Sequence, residues 1–316
     1  MQRFKYMRHI IWLIILMLTV GISSAQQIPF ATIFVENPFA FNPAVAGSSN
    51  GFKVRLNSRI QWMGFGDGPF TIMASAFGPH ARKNIGYGVN LVNDKTGPIS
   101  MLRANGAFAT NIFITSDIRA SFGLNLGFIQ SRLDGTQLNL YDPNDPRVSE
   151  TTMASFMPDA GAGVYIYHFD WYFGLSAQQL FNNNVKFSKE GDDNKLNRLK
   201  SHFYGYGGGK ITLVNNVFVE PSILVRAVAA VPMQMDINAR VMFDKKDFII
   251  WGGLSARNTF QSFDDLSLIF GYIHERTYSI AIAYDFSFAD IKSYTAGTIE
   301  LVVGYNFADV KKGGKR

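Results

Sequence analysis

Between residues 51 and 307, segment after segment alternates apolar and polar residues one by one, and this period of two points to antiparallel strands with one oily and one wet face. In the stretch 118–128, Ile118, Ala120, Phe122, Leu124, Leu126 and Phe128 share one face, and Arg119, Ser121, Gly123, Asn125 and Gly127 share the other. The same pattern sets Met233, Met235, Ile237, Ala239, Val241 and Phe243 against Gln234, Asp236, Asn238 and Arg240. It returns where Tyr278, Ile280, Ile282, Tyr284, Phe286 and Phe288 oppose Ser279, Ala281, Ala283, Asp285 and Ser287.

Fourteen such segments can be marked out: 51–65, 70–81, 84–94, 99–115, 118–133, 160–169, 171–182, 200–214, 217–229, 232–243, 247–258, 266–275, 277–289 and 297–307. Every second connection is tight: Arg82-Lys83, Ser116-Asp117, Asp170, Asn215-Asn216, Lys245-Lys246 and Arg276. The others include the long stretches 134–159, 183–199, 259–265 and 289–296. Short turns at one end and long loops at the other are the asymmetry of an outer-membrane β-barrel, and a soluble sandwich has no reason to keep that parity. The predicted fold is therefore all-β: a transmembrane antiparallel barrel of about fourteen strands. The last strand agrees, with Ile299, Leu301, Val303, Tyr305 and Phe307 on the oily face.

Composition fits lipid on one side of the sheet. Charged residues are 17% of the chain, below the roughly 25% of soluble domains, and apolar residues are 47%. There is no cysteine, which excludes disulfides, thiolate metal sites, a cysteine nucleophile and a thioether lipid anchor.

Residues 1–25 read as a secretory signal peptide: Arg3, Lys5, Arg8 and His9, then the apolar stretch 10–20, then Ser23-Ser24-Ala25 as a small-residue cleavage site. Beyond it the apolar runs reach only about seven residues, too few for a membrane helix. Cleavage removes three cationic side chains, lowering the formal charge of +6 to +3, and Lys311, Lys312, Lys315 and Arg316 exceed that remainder. The body is near neutral, so no nucleic-acid partner is expected.

Residues 26–50 are not strand-like. Asn37-Pro38, Asn42-Pro43 and Gly47 followed by Ser48-Ser49-Asn50 give closely spaced turns, yet Phe30, Phe34, Phe39 and Phe41 require burial. This irregular segment is expected to fold into the barrel as a plug, with a periplasmic docking segment as the alternative. The chain thus divides into signal peptide 1–25, irregular segment 26–50, barrel 51–307 and basic tail 308–316.

If the oily face meets lipid, the opposite phase points into the lumen. The charges in that phase are Lys53, Arg55, Arg59, Arg103, Arg119, Arg226, Arg240 and Arg257 against Glu220, Asp236, Asp285 and Glu300, eight bases to four acids. The predicted lumen is net positive and its charges paired, Arg226 opposite or diagonal to Asp236 and Glu220 diagonal to Arg240. Residual positive charge near the first strand would favour an anion or an acidic peptide segment.

Catalytic patterns are weak. His80, His168, His202 and His274 lack metal-ligand spacing, and Gly205-Tyr206-Gly207-Gly208-Gly209-Lys210 lacks the spacing and the Ser or Thr of a phosphate loop. Neither catalytic residues, metal ligands nor a cofactor are assigned, and an enzyme is not expected. A Ser/His pair on the lipid face, as in an outer-membrane phospholipase, stays open at this point. Asp142 and Asp145, between prolines, suit a rigid turn better than calcium.

An ordered set of motifs resembles the PorP/SprF family of type IX secretion outer-membrane proteins. It comprises Asn42, Pro43, Ala44 and Gly47; Gln61-Trp62 and Gly68-Pro69-Phe70-Thr71; Asp142, Pro143, Asp145 and Pro146; Pro221-Ser222; and Trp251-Gly252 with Arg257 following. The resemblance implies a non-enzymatic barrel in the bacterial outer membrane. Its partners would be outer-membrane lipids together with other secretion-system proteins, such as a periplasmic ring or lipoproteins, or a secreted adhesin with a role in gliding. From the residues alone, the competing function is an outer-membrane channel or transporter for small or hydrophobic molecules, since barrels of this size do either. Partner contacts are expected first on the loops around 141–147 and 189–195, and then on the tail.

Overall fold

The computed structural model describes residues 31–138, 152–185, 198–229, 231–259 and 262–307. Its strands are β1 (Lys53–Ile60), β2 (Phe70–Pro79), β3 (Ile85–Thr96), β4 (Ile99–Phe113), β5 (Arg119–Asp134), β6 (Thr152–Tyr167), β7 (Trp171–Gln178), β8 (His202–Gly209), β9 (Ile211–Val214), β10 (Val217–Val228), β11 (Val231–Asp244), β12 (Phe248–Thr259), β13 (Ser262–His274), β14 (Tyr278–Ser287) and β15 (Thr298–Asn306). Sequence neighbours pair antiparallel, except β8 and β9, and β1 pairs with β15, so the sheet closes on itself. β8 and β9 both pair with β10 and form one strand interrupted at Lys210, which makes the barrel fourteen-stranded.

Closure removes the sheet edges, and the pleat then sorts the side chains. On β5, Phe122, Leu124 and Leu126 are 48%, 64% and 67% exposed, while Ser121 and Gly123 in the opposite phase are buried. On β14 the exposed Ile280 and Ile282 alternate with Ser279, Ala281 and Ala283, all buried. The outward residues form the surface that lipid covers. Among the described residues no helix is long and apolar enough to cross a membrane, and the crossing is made by strands.

Several boundaries depart from the sequence expectation; β1 ends at Ile60, not 65, and β7 at Gln178, not 182. β6 begins at Thr152, not near 160, because its first half continues the ladder with β5 from Asp134↔Thr152 onward. Pro158 sits inside this ladder opposite Phe128. β13 starts at Ser262, where a register shift at Arg257/Asn258 lets it continue pairing with β12. The expected eighth segment is broken in two.

Residues 31–50 make three short 3-10 turns, Phe34–Glu36, Pro38–Ala40 and Pro43–Gly47. The last is built locally: the Asn42 side chain accepts from the Ala44 amide at 2.9 Å, and Pro43 needs no donor in the first turn. Phe34, Phe39, Phe41, Ala44, Val45 and Ala46 are buried in one apolar cluster with the inward residues Met73, Phe77, Val92, Tyr204, Tyr206 and Leu224. Phe39 stacks on Phe77 with ring centroids 4.6 Å apart, and Phe41 lies 5.4 Å from Tyr204.

Candidate functional site

The segment descends the lumen from the long-loop end to the short-turn end, and hydrogen bonds to the wall mark its course. Near the long loops, the Thr32 amide donates to Glu300 at 2.7 Å, and its hydroxyl meets Asp285 at 2.9 Å. Midway, the Asn37 side chain donates to Asn57 and Ser75, both at 3.0 Å. The Phe41 carbonyl accepts from Ser176 at 2.7 Å and Gln178 at 3.0 Å. Lower, Asn42 donates to the Val164 carbonyl at 3.0 Å, Ser121 donates to the Ala44 carbonyl at 2.6 Å, and Asn111 donates to the Gly47 carbonyl at 3.1 Å. Backbone approaches the wall here so closely that a Cβ on Gly123 would collide with Ala44, and one on Gly86 with Gly47.

The inward charges sit in two networks and one remainder. In the upper network Arg59 bonds Asp285 at 2.8 Å and Glu300 at 3.0 Å, while Arg257 bonds Asp236 at 2.8 Å and Asp265 at 3.0 Å. Arg226 also bonds Asp236. The Thr32 hydroxyl ties the two halves together, accepting from Arg59 at 2.9 Å and Arg257 at 3.2 Å. In the middle network Arg240 bonds Glu36 at 2.6 Å and Glu220 at 3.0 Å, and its guanidinium lies 4.9 Å from the Trp251 ring centre. Glu220 stands directly opposite Arg240 in the ladder, not diagonal as expected, and Asp236 is diagonal to Arg226.

The remainder lies elsewhere. Arg55 is buried but meets neutral acceptors, the Glu36 carbonyl at 3.0 Å and Asn306 at 2.7 Å. Lys53 and Arg119 are half-buried at the short-turn end, the latter over the Phe113 ring at 4.7 Å. Arg103 is 7% exposed in the upper lumen.

The expectation of a net positive lumen is corrected, because at least four inward acids escape the sequence count. Asp94 accepts from inward-facing Thr71, Asp159 accepts from Asn105 at 2.8 Å, and Asp265 and Glu36 join the networks above. With these, acids equal the eight named bases. The inner face is also less polar than alternation suggests: Trp251, Ile269, Ala281, Ala283 and Val302 pack around Ile33.

Of the motif residues, Asn42, Pro43, Ala44 and Gly47 form the lower turn of the lumen segment. Gln61 and Trp62 turn the chain after β1; the Gln61 amide donates to the Pro69 carbonyl at 2.9 Å, and Trp62 adopts φ 56°. Pro221 faces outward on β10 beside inward Ser222, and Trp251 is buried next to Gly252 on β12. Phe30, Asp142, Pro143, Asp145, Pro146, the loop around 189–195 and the tail 308–316 lie outside the described residues.

Gly205 to Gly209 belong to strand β8, and Tyr206 packs edge-on to Phe34 at 6.2 Å. The histidine ring nitrogens meet the Arg82 and Asp170 amides, the Lys200 carbonyl and the Tyr272 hydroxyl. No group of three His, Asp or Glu that could hold a metal occurs among the described residues.

A closed fourteen-stranded barrel with lipid-facing aliphatics and a charged inner wall defines a bacterial outer-membrane protein. Within that class, residues 23–305 match the model of the type IX secretion system membrane protein PorP/SprF, and the chain belongs to that family. No curated protein matches it. Among solved structures, the CymD monoaromatic hydrocarbon channel is similar at TM-score 0.53 and 12% identity, over 91% of this chain and 95% of that one. A TodX deltaS2S3 mutant monoaromatic hydrocarbon channel gives 0.51 and 11%, over 85% and 94%. A Pseudomonas aeruginosa FadL homologue gives 0.50 and 10%, over 85% and 94%. At these identities the likeness is one of fold.

Proposed function

We propose that the chain, exported by a cleaved signal peptide, is a non-enzymatic structural component of the type IX secretion machinery, and that residues 26–50 plug its barrel. In this reading it binds other secretion components or a secreted protein at its two mouths instead of passing solutes. The observation that carries it is the docking of residues 31–50 across the whole height of the lumen, with wall bonds from Thr32 to Gly47. A segment held by two ion-pair networks and a shared apolar cluster is part of the wall's own packing. Family membership supports the secretion role. Planar-bilayer recording tests the plug, for which purified full chain should give no steady conductance. Crosslinked pull-down from native membranes tests the role: secretion-system or secreted proteins should co-purify, and their absence overturns it.

A transporter of hydrophobic molecules is the second reading. Two outward cavities favour it, one of about 620 Å³ beside Val89 and Phe108, the other of about 710 Å³ beside Phe122 and Leu175. Both are lined mostly by lipid-facing side chains, so acyl chains fill them on the first reading. Uptake of a labelled monoaromatic compound into vesicles that depends on these residues would favour the second.

A further inference from the structure

The remainder of positive charge has a place of its own. At the short-turn end, which faces the periplasm in an outer-membrane barrel, a recess of about 510 Å³ opens below the foot of the lumen segment. Its inner wall is residues 48–53, and its sides are the β4–β5, β6–β7 and β13–β14 turns with the end of β15. Lys53, Arg119, Arg276 and His168 line it against one acid, Asp117. Arg276 is already paired with Asp244 at 2.8 Å, and Asp117 accepts from Ser116 at 3.1 Å.

Lys53 and Arg119 differ from the upper bases. Arg59, Arg226, Arg240 and Arg257 each reach a carboxylate, whereas neither Lys53 nor Arg119 has a carboxylate within 4.0 Å among the described residues. Arg55 stands behind them, its hydrogen bonds all to neutral acceptors, and the Glu36 carboxylate that acts on it is already paired with Arg240. Cations gathered in a partly desolvated site repel one another, and an incoming anion relieves that repulsion while the site excludes water around it. Ser48, Ser49 and Asn50 supply further polar groups along the inner wall.

The rim narrows the class of anion. Phe169 is 84% exposed and Phe307 51% exposed, both on the recess, so an occupant carrying apolar as well as acidic groups is matched at once. Lys53 and Arg119 lie in the inward phase of their strands, the face turned away from lipid headgroups. We propose that the recess binds an acidic, aromatic-containing peptide segment of a periplasmic partner, with Lys53 and Arg119 holding its carboxylates. Because residues 48–51 join the lumen segment to β1, the occupant touches the covalent link between the two. The proposal deepens the secretion reading and rests on it for the identity of the partner, though not for the binding itself.

The test uses purified full chain in neutral-lipid nanodiscs and a fluorescent Glu-Phe-Glu-Phe-Glu peptide. Wild type should bind it saturably, and the Gln-Phe-Gln-Phe-Gln counterpart about tenfold or more weakly, the loss of roughly one strong charge contact. K53E combined with R119E should abolish binding, and K53R should retain it. R82E, the same reversal on a neighbouring short turn outside the recess, should leave binding unchanged. Heat-modifiable migration on gels confirms folding of every variant. Equal binding of both peptides, equal loss in R82E, full competition by equimolar inorganic phosphate, or binding only in nanodiscs of anionic lipid would each overturn the proposal. If pull-downs recover no secretion component while the peptide still binds through Lys53 and Arg119, the secretion reading falls and the recess stands.

Discussion

Arg240 on β11 and Glu36 in the lumen segment come within 2.6 Å, joining residues 204 apart in sequence across the inside of the barrel. Both side chains are nearly buried, at 12% and 10% exposure, so the bond is shielded from screening by salt. Arg240 also holds Glu220 on β10, which places one guanidinium between the wall and the segment.

Removing that contact should loosen the segment and spare the barrel. In a double-mutant cycle of Glu36→Gln and Arg240→Gln, urea unfolding in lipid vesicles should give a coupling of about 1.5–3 kcal/mol, the range for hydrogen bonds to charged groups. A coupling near zero would mean the pair contributes nothing to docking.

The close approach of Ala44 to Gly123 yields a second expectation. Gly123→Val places methyl groups where the Ala44 backbone lies, so the segment must move away from β5. The chain has no cysteine, so a single Ala46→Cys reports on this directly. Ala46 is fully buried, and its thiol should resist maleimide in the otherwise native chain and react readily in the Gly123→Val background.

Arg59 is the counterion of two buried acids on β14 and β15. Arg59→Met leaves Asp285 and Glu300 short of positive charge and should cost about 3–5 kcal/mol, read as a lower temperature for loss of the folded gel band. Adding Glu300→Gln should restore part of that loss, because the burden is an uncompensated carboxylate. No restoration would show that Arg59 acts through packing alone.

On the outer surface, Leu126 is 67% exposed near the middle of β5. Leu126→Arg should destabilise the vesicle-inserted barrel by about 2–4 kcal/mol, and Leu126→Phe should be nearly neutral. Equal tolerance of both would place this face away from lipid.

Most strands were legible because one buried and one lipid-facing surface force strict alternation, and alternation survives in sequence wherever the ladder is regular. The hidden parts are those where it is not. The sequence 152–159 contains Pro158, which argues against a strand, yet the ladder with β5 carries it, and with it Asp159 turns inward. Asp265 was hidden by the register shift opposite Arg257, and Asp94 by standing near the ragged end of β3. Glu36 lies on a segment with no period at all. Trp251 belongs to a run, Phe248 to Leu254, that is oily on both faces, so its direction follows only from the small inward neighbours Gly271 and Ala281 that make room for it. Pairing partners such as Thr32 are invisible beforehand because hydroxyls carry no charge signature.

The seam between β1 and β15 joins the two ends of the chain, with Lys53 beside Asn306 and the Phe307 amide bonded to the Phe52 carbonyl at 2.8 Å. Residues 31–50 stand just ahead of β1 in the chain, and β15 is the strand that completes the hoop. Once β1 and β15 meet, the mouths are the only ways into the interior, so an open sheet offers residues 31–50 a lateral path that the closed barrel does not.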